Sequence, residues 1–287
     1  MAVVNALTAC AAEIEGRTRF TEWVKNVNQV TTAGVWYDVT GASGNPRAKQ
    51  WFDAAPLVAQ QITQSGDGGI YHGANLSGTA TKYARKLRLQ CVSATPLPLP
   101  VILMDYLLYY PSIEDGNTDP QVMDNTLPLP RYADGAGVQM MAVTISSRTG
   151  GQQFTVSYTN QDGVSGRTSQ VMTQNTAAAP GSVCTSATAT AGSAGAFIGL
   201  QYGDTGVRSV ESVTMLGADT GFFSIVLVRP VAYSVLRSID AVYEKDLLIM
   251  ANEIPEVKDN AYLSLVVLPR GSLSGVALRG GLTVIWN

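Results

Sequence analysis

The stretch Val207-Arg-Ser-Val-Glu-Ser-Val-Thr-Met-Leu216, then Gly217-Ala-Asp-Thr-Gly221, then Phe222-Phe-Ser-Ile-Val-Leu-Val228 decides the fold class. Two runs rich in β-branched and aromatic residues flank a short Gly-bearing turn, the pattern of consecutive strands. A parallel pair would need a crossover of about a dozen residues or more, usually a helix. None fits here. The same grammar recurs at Val30–Val39, Val138–Ile145, Phe154–Tyr158, Leu263–Leu268 and Leu282–Trp286, and Leu87-Arg-Leu-Gln-Cys91 alternates with period two. Helix signals are sparse. Ala2–Glu15 is Ala-rich and ends at Gly16, whereas Ala232–Met250 reads equally as helix or strand, with Tyr233, Leu236, Ile239 and Tyr243 at helical spacing.

The expected fold is therefore mainly β, an antiparallel β-sandwich or jelly-roll-like domain with a short N-terminal helix and long loops. Residues 1–287 read as one β-rich domain, with the alternative that 1–95 form an N-terminal arm or subdomain and 96–287 the main sandwich. An internal echo supports the sandwich. Tyr132-Ala-Asp134, Gly137-Val138 and Val143-Thr144 parallel Tyr202-Gly-Asp204, Gly206-Val207 and Val213-Thr214, and each stretch runs through a Gly-bearing turn into an aromatic strand. Two similar hairpins, one per half, would suit that sandwich; chance likeness among β-rich segments is the alternative. Pro96-Leu-Pro-Leu-Pro100 and Pro128-Leu-Pro130 favour extended backbone without ladder donors and read as rigid lead-ins to strands. Thr176–Ala196, nearly all Ala, Ser, Thr and Gly, reads as a long mobile loop.

Composition narrows the function classes. Of 287 residues, 46% are hydrophobic but only 14% charged, where about 25% is usual. The surface must then be built from uncharged polar residues or be covered by neighbours. A net charge of -3 leaves no basic footprint for nucleic acid. No apolar run reaches the ~18 residues of a membrane helix, and the longest candidate, Val101–Tyr110, is interrupted by Asp105. The chain has no Lys or Arg before Arg17, so a signal peptide is not expected. Cys10, Cys91 and Cys184 are widely spaced and unaccompanied by metal-ligand patterns, which suits synthesis in a reducing cytoplasm.

Catalytic supply is poor. His72 is the single histidine; Asp67 and Ser65 lie near it in sequence, but no nucleophile elbow exists, and a turn or interface role is the expectation. Glu114-Asp-Gly-Asn-Thr-Asp119, with Asp124 and Asn125, offers oxygen ligands yet misses the EF-hand register, so a solvated Asx-rich turn is expected rather than a calcium site. Asn75-Leu-Ser77 is a formal glycosylation sequon. Asp105 sits inside the most apolar stretch of the chain, where a lone buried carboxylate would be costly, so a cationic partner is expected, with Arg85 and Arg88 as candidates. No catalytic, cofactor-binding or metal residues are assigned.

Several stretches carry a resemblance: Asp105-Tyr-Leu-Leu-Tyr-Tyr-Pro111, Asp119-Pro-Gln-Val-Met-Asp-Asn-Thr126 and Leu129-Pro-Arg-Tyr-Ala-Asp-Gly-Ala-Gly-Val-Gln139. Ser157-Tyr-Thr-Asn-Gln-Asp-Gly-Val-Ser-Gly-Arg-Thr168, Gly206-Val-Arg-Ser-Val-Glu-Ser-Val-Thr214, Ala261-Tyr-Leu-Ser-Leu265, Gly271-Ser-Leu-Ser-Gly275 and Leu282-Thr-Val-Ile-Trp286 continue it. The wording resembles a family of structural proteins of tailed bacteriophages. That resemblance implies a non-enzymatic virion protein without cofactors, assembled in the bacterial cytoplasm. A capsid decoration protein bridging subunits of the major capsid protein fits best, as a homo-oligomer for which a trimer suits threefold positions of a shell. It implies no direct contact with nucleic acid or membrane. A tail, collar or neck component is one alternative, and a carbohydrate-binding host-recognition module, gripping glycans with exposed Trp and Tyr, is another.

Overall fold

The computed structural model describes residues 6–176, 178–184, 195–250 and 254–287. One helix, α1 (Ala6–Ile14), precedes the strands, and the chain leaves it at Gly16, whose φ of 73° favours glycine. In chain order the main strands are β1 (Thr18–Val27), β2 (Ser43–Asn45), β3 (Lys82–Cys91), β4 (Leu99–Glu114), β5 (Gln139–Thr144) and β6 (Gln153–Asn160). There follow β7 (Val207–Met215), β8 (Phe222–Leu236), β9 (Tyr243–Asp246), β10 (Tyr262–Val267) and β11 (Val276–Trp286). They form three sheets whose ladders are all antiparallel. The first has the order β9-β3-β11-β1-β2; the second is built on β6 and β7; the third places β4 and β8 between β10 and β5.

The third sheet is the middle of the molecule because β4 and β8 are long enough to serve two partners. Leu99, Val101, Leu103, Leu236 and Leu265 pack against Trp23, Leu87, Leu89, Leu278 and Leu282 of the first sheet. Further along, Leu108, Tyr110, Ile113, Ile225 and Leu227 pack against Phe154, Val156, Val210 and Val213 of the second. On the other face Met104, Tyr106, Val226 and Tyr262 lie under Trp36, Trp51, Ile62 and Val183. Burial on both faces explains the apolar run Val101–Tyr110, broken only by Asp105, which carries no period and was not assigned as a strand from sequence.

The antiparallel sandwich expected from sequence is present, but its two echoed units are not hairpins. β5 and β6 lie in different sheets, as do β7 and β8; β5 pairs with β8 and β6 with β7. Each Gly-bearing connection thus turns a corner between layers about 10 Å apart. The pairing pattern maps onto itself when the two units are exchanged. Ala136 bridges Gly206, and Phe154 and Phe223, each just past its corner, meet with ring centroids 5.2 Å apart.

Other expectations meet mixed outcomes. Leu87, Leu89 and Cys91 are buried while Arg88 and Gln90 are not, as the alternation required. Within Val30–Val39 only Tyr37–Asp38 joins a ladder. Gly34, at φ 76°, turns the chain there; Trp36 packs over the middle sheet with Trp51 and Tyr106, and Tyr37 pairs with Val267 at that sheet's edge. Ala232–Met250 resolves into the end of β8, the strand β9 and a single helical turn, Leu247–Met250. The expectation of a mobile loop falls partly on residues 177 and 185–194, which lie outside the described residues. Of the rest, Ser182, Val183 and Cys184 are buried, with Val183 N donating to Trp36 O (2.8 Å) and Cys184 N to Ala142 O (2.7 Å). The first proline tract runs directly into β4, and Pro100 O accepts from Leu268 N at 2.9 Å. Residues before 96 supply β1, β2 and β3, and a cut at 95 would part the β3–β11 ladder, which runs from Lys82 opposite Trp286 to Cys91 opposite Leu278.

Candidate functional site

Asp105 does have a cationic partner, but neither candidate from sequence supplies it. Arg131 Nε donates to Asp105 Oδ2 (2.9 Å) and its terminal nitrogen to Oδ1 (2.7 Å), a two-pronged pair, with Asp105 1% exposed. The same terminal nitrogen reaches Ile62 O (3.0 Å) and Tyr106 O (2.8 Å), and Tyr262 N donates to Asp105 Oδ1 (3.1 Å). β4 explains the location. One of its edges pairs with Gln60–Gln61 at Leu108–Tyr109 and with β10 from Tyr106 backward. Asp105 and Arg131 close the gap between them. Arg85 and Arg88 sit on β3, in a different sheet from β4. Arg85 pairs with Asp246 and Glu13, and Arg88 with Glu244. Burial pushes the Asp105 carboxyl above its usual range, against the pull of Arg131.

His72 is buried with both ring nitrogens engaged. Nε2 lies 3.0 Å from Ala261 O and Nδ1 3.1 Å from Lys82 Nζ. Since Nδ1 must accept from an ammonium, Nε2 carries the proton and the ring is neutral. Lys82 Nζ also donates to Ala74 O (3.0 Å) and pairs with Asp259 (2.9 Å). Asp67 and Ser65 are elsewhere: Asp67 accepts from Thr63 N and pairs with Lys49, and Ser65 N donates to Asn260. Among the described residues no triad is assembled around His72. The ring joins loop 72–74 to the start of β10.

Burial, with the Lys82 charge adding, lowers the His72 pKa to about 4, the Asp259 charge opposing. The unfolded chain therefore takes up a proton near the ordinary histidine value of about 6.5 while the folded one resists. Stability contributed at neutral pH is lost as pH falls from 6.5 towards 4. Urea unfolding across that window is expected to show wild type losing up to about 3 kcal/mol more than His72→Gln, whose amide cannot titrate. Parallel pH profiles for the two proteins would refute it.

A second polar knot lies on the other face of β4. Buried Asp38 accepts from Thr40 N (3.0 Å), Thr40 Oγ1 (2.9 Å), Trp51 Nε1 (2.6 Å) and Tyr106 OH (3.0 Å). Lys25 holds the same turn from its other side through Thr40 O (3.1 Å) and Ala42 O (3.0 Å), and burial lowers its pKa to about 8. Sequence reading singled out neither residue, since nothing local marks a charge whose partner lies in a distant turn. The acidic stretch likewise departs from a solvated turn. Asp115 is fully buried, paired with Arg148 and accepting from Gln174 Nε2 (2.8 Å). Asn117 and Asp124 do form Asx-type contacts, to Asp119 N (3.0 Å) and Thr126 N (3.1 Å), and Asn125 accepts from Tyr110 OH at 2.7 Å. Among the described residues no group of three or more His, Cys, Asp or Glu side chains could hold a metal ion. The cysteines are free, Cys10 exposed and the others buried.

What remains for an external ligand is the surface. The outer face of the first sheet carries a groove of about 530 Å³ between Phe20, Glu22 and Val24 on one side and Arg88, Gln90 and Val242 on the other. Gly281 floors it, because a Cβ there would lie 2.2 Å from the Phe20 ring. Trp23, Trp36 and Trp51 are all buried in cores, so they cannot serve as glycan platforms. Large apolar side chains nonetheless reach solvent at Leu7, Ile14, Val30, Val122, Tyr202 and Ile249.

These features define an antiparallel β-sandwich protein whose buried charges are structural ties. Beyond that class, no protein-family model matches the chain and no curated protein proves similar to it.

Proposed function

We propose that the chain is a non-enzymatic structural protein of a tailed-bacteriophage virion, a decoration protein that bridges major capsid subunits and reinforces the DNA-filled head. The resemblance of the quoted stretches carries this reading. In the fold those stretches work as scaffold. Asp204, in the echoed turn, accepts from Tyr158 OH (2.6 Å), Asn160 Nδ2 (2.8 Å) and Arg167 Nε (2.9 Å). Glu211 likewise accepts from Ser157 Oγ and Thr159 Oγ1, both at 2.8 Å.

The surface supports the same reading. A chain with 14% charged residues and isolated large apolar side chains in water is suited to being covered, since interface centres are poor in charge. A bridging contact of ~1,600 Å² suffices for stable attachment. Protein counting on purified particles tests the placement: a decoration protein is expected in hundreds of copies per head, a tail, collar or neck part in about six to a few dozen. Heads lacking the protein are expected to release DNA at a lower temperature than complete heads. Equal survival would overturn the reinforcing role.

A further inference from the structure

The strand β1 has an open edge whose geometry selects its own partner. Arg17 O accepts from Trp286 N (3.2 Å) and Val27 O from Gly275 N (2.8 Å), so the odd-numbered residues of β1 turn their backbone groups to β11. The even-numbered ones face away. At Val24 and Asn26 that side is occupied by β2, opposite Asn45 and Ser43. At Thr18, Phe20 and Glu22 no described residue pairs with it. An open row of this kind invites another strand.

We propose that this edge is a self-interface, at which β1 pairs antiparallel with β1 of a second copy about a twofold axis through Phe20. Residues that exchange hydrogen bonds must both turn their backbone groups to the seam, so even-numbered residues oppose even-numbered ones there, and odd-numbered residues face one another only at the non-hydrogen-bonded places between. Five registers satisfy this, and setting Thr18 against Thr18 brings Arg17 against Arg19. Setting Thr18 against Phe20 brings Arg19 against Arg19. Setting Phe20 against Glu22 drives Thr18 of the second copy into the place opposite Val24 that Asn45 already holds. One step further, Glu22 meets Glu22. The remaining register sets Phe20 against Phe20, Thr18 against Glu22 and Arg19 against Thr21. It has no like charges in contact, places two aromatic rings side by side, and fills the free slot between Gly16 and β2. About six main-chain hydrogen bonds result.

The surroundings suit this axis. Ile285 lies opposite Thr18 and so on the same face as Phe20, and α1 packs there through Ala9 and Ala12. The twofold axis brings both α1 helices to one side of the joined sheet, where Leu7 and Ile14, 80% and 86% exposed, supply apolar area beside the strands. The arrangement is isologous and closes at two copies. It does not depend on the virion reading, because its test uses the purified chain alone.

Light scattering coupled to size exclusion, over a concentration series, is expected to give the mass of two 30.3 kDa chains. Phe20→Glu sets carboxylates face to face on the axis at a half-exposed site and is expected to weaken association at least tenfold. Thr18→Pro removes an outward N–H, which edge strands tolerate, and should do the same; circular dichroism confirms that each variant is folded. In a Cys10→Ser background, Arg19→Cys with Thr21→Cys is expected to yield a covalent dimer on mild oxidation, since opposed Cβ atoms lie about 4.5–5.5 Å apart. Thr21→Cys alone should not. A monomer or trimer mass throughout, association unmoved by the two folded edge variants, or cross-linking through Thr21→Cys alone would overturn the proposal.

Discussion

Arg131→Ala is expected to lower the free energy of unfolding by about 3–5 kcal/mol at neutral pH. The substitution removes both prongs on Asp105 and leaves a carboxylate that is 1% exposed without its counter-charge. It also strips a donor from Ile62 O and Tyr106 O at the gap in the edge of β4. Two controls identify the cause. Asp105→Leu combined with Arg131→Met replaces the pair by apolar groups and should cost less than Arg131→Ala alone. The single variant should also be partly rescued by acid. Burial already raises the Asp105 pKa in the folded protein, and losing Arg131 raises it further. The folded state then binds a proton before the unfolded state does, so stability rises as pH falls through the folded value towards the ordinary 3.8. Urea midpoints at neutral and mildly acidic pH measure both effects; a deficit that deepens in acid would refute the assignment.

Trp51→Ala is expected to cost a similar amount, about 3–5 kcal/mol. The indole is 2% exposed and stacks on Tyr106 with centroids 5.4 Å apart and planes 15° from parallel. Tyr109 (5.4 Å) and Tyr262 (6.1 Å) complete its surroundings. Its Nε1 is also one of the four donors that make a buried Asp38 tolerable. Trp51→Phe separates the contributions: it keeps a ring in the stack but leaves Asp38 one donor short, for a loss of about 1–3 kcal/mol. Thermal unfolding of the two variants gives the ordering. A Trp51→Phe protein as stable as wild type would show that the indole N–H contributes nothing to holding Asp38.

How far such features could be read beforehand depends on whether their cause is local. Leu87-Arg-Leu-Gln-Cys91 was legible because one buried face writes itself directly as alternation. Val101–Tyr110 was not assigned as a strand because burial on both faces erases the period. Val30–Val39 has the composition of a strand, yet Gly34 turns it and Trp36 is more useful as a cover for the middle sheet. Turn chemistry located both Gly-bearing connections but could not say which sheet receives the next strand, and so corners were taken for hairpins. Asp105 announced its need for a cation; the identity of Arg131, twenty-six residues on, is a property of the gap beside β4. His72 was read as a turn or interface residue, whereas its ring is buried between Ala261 O and Lys82 Nζ, partners distant in sequence that nothing local marks.

The length of β4 and β8 has a mechanical consequence. Their ladder runs from Leu99 opposite Leu236 to Glu114 opposite Phe222, passing beneath both partner sheets. A force drawing the first sheet away from the second along this axis loads that ladder lengthwise, in shear. Its hydrogen bonds then bear tension together instead of opening one after another, as they would if peeled from an end. Two strands of 16 and 15 residues, their ladder passing through three register shifts, thus give the molecule its stiffest direction.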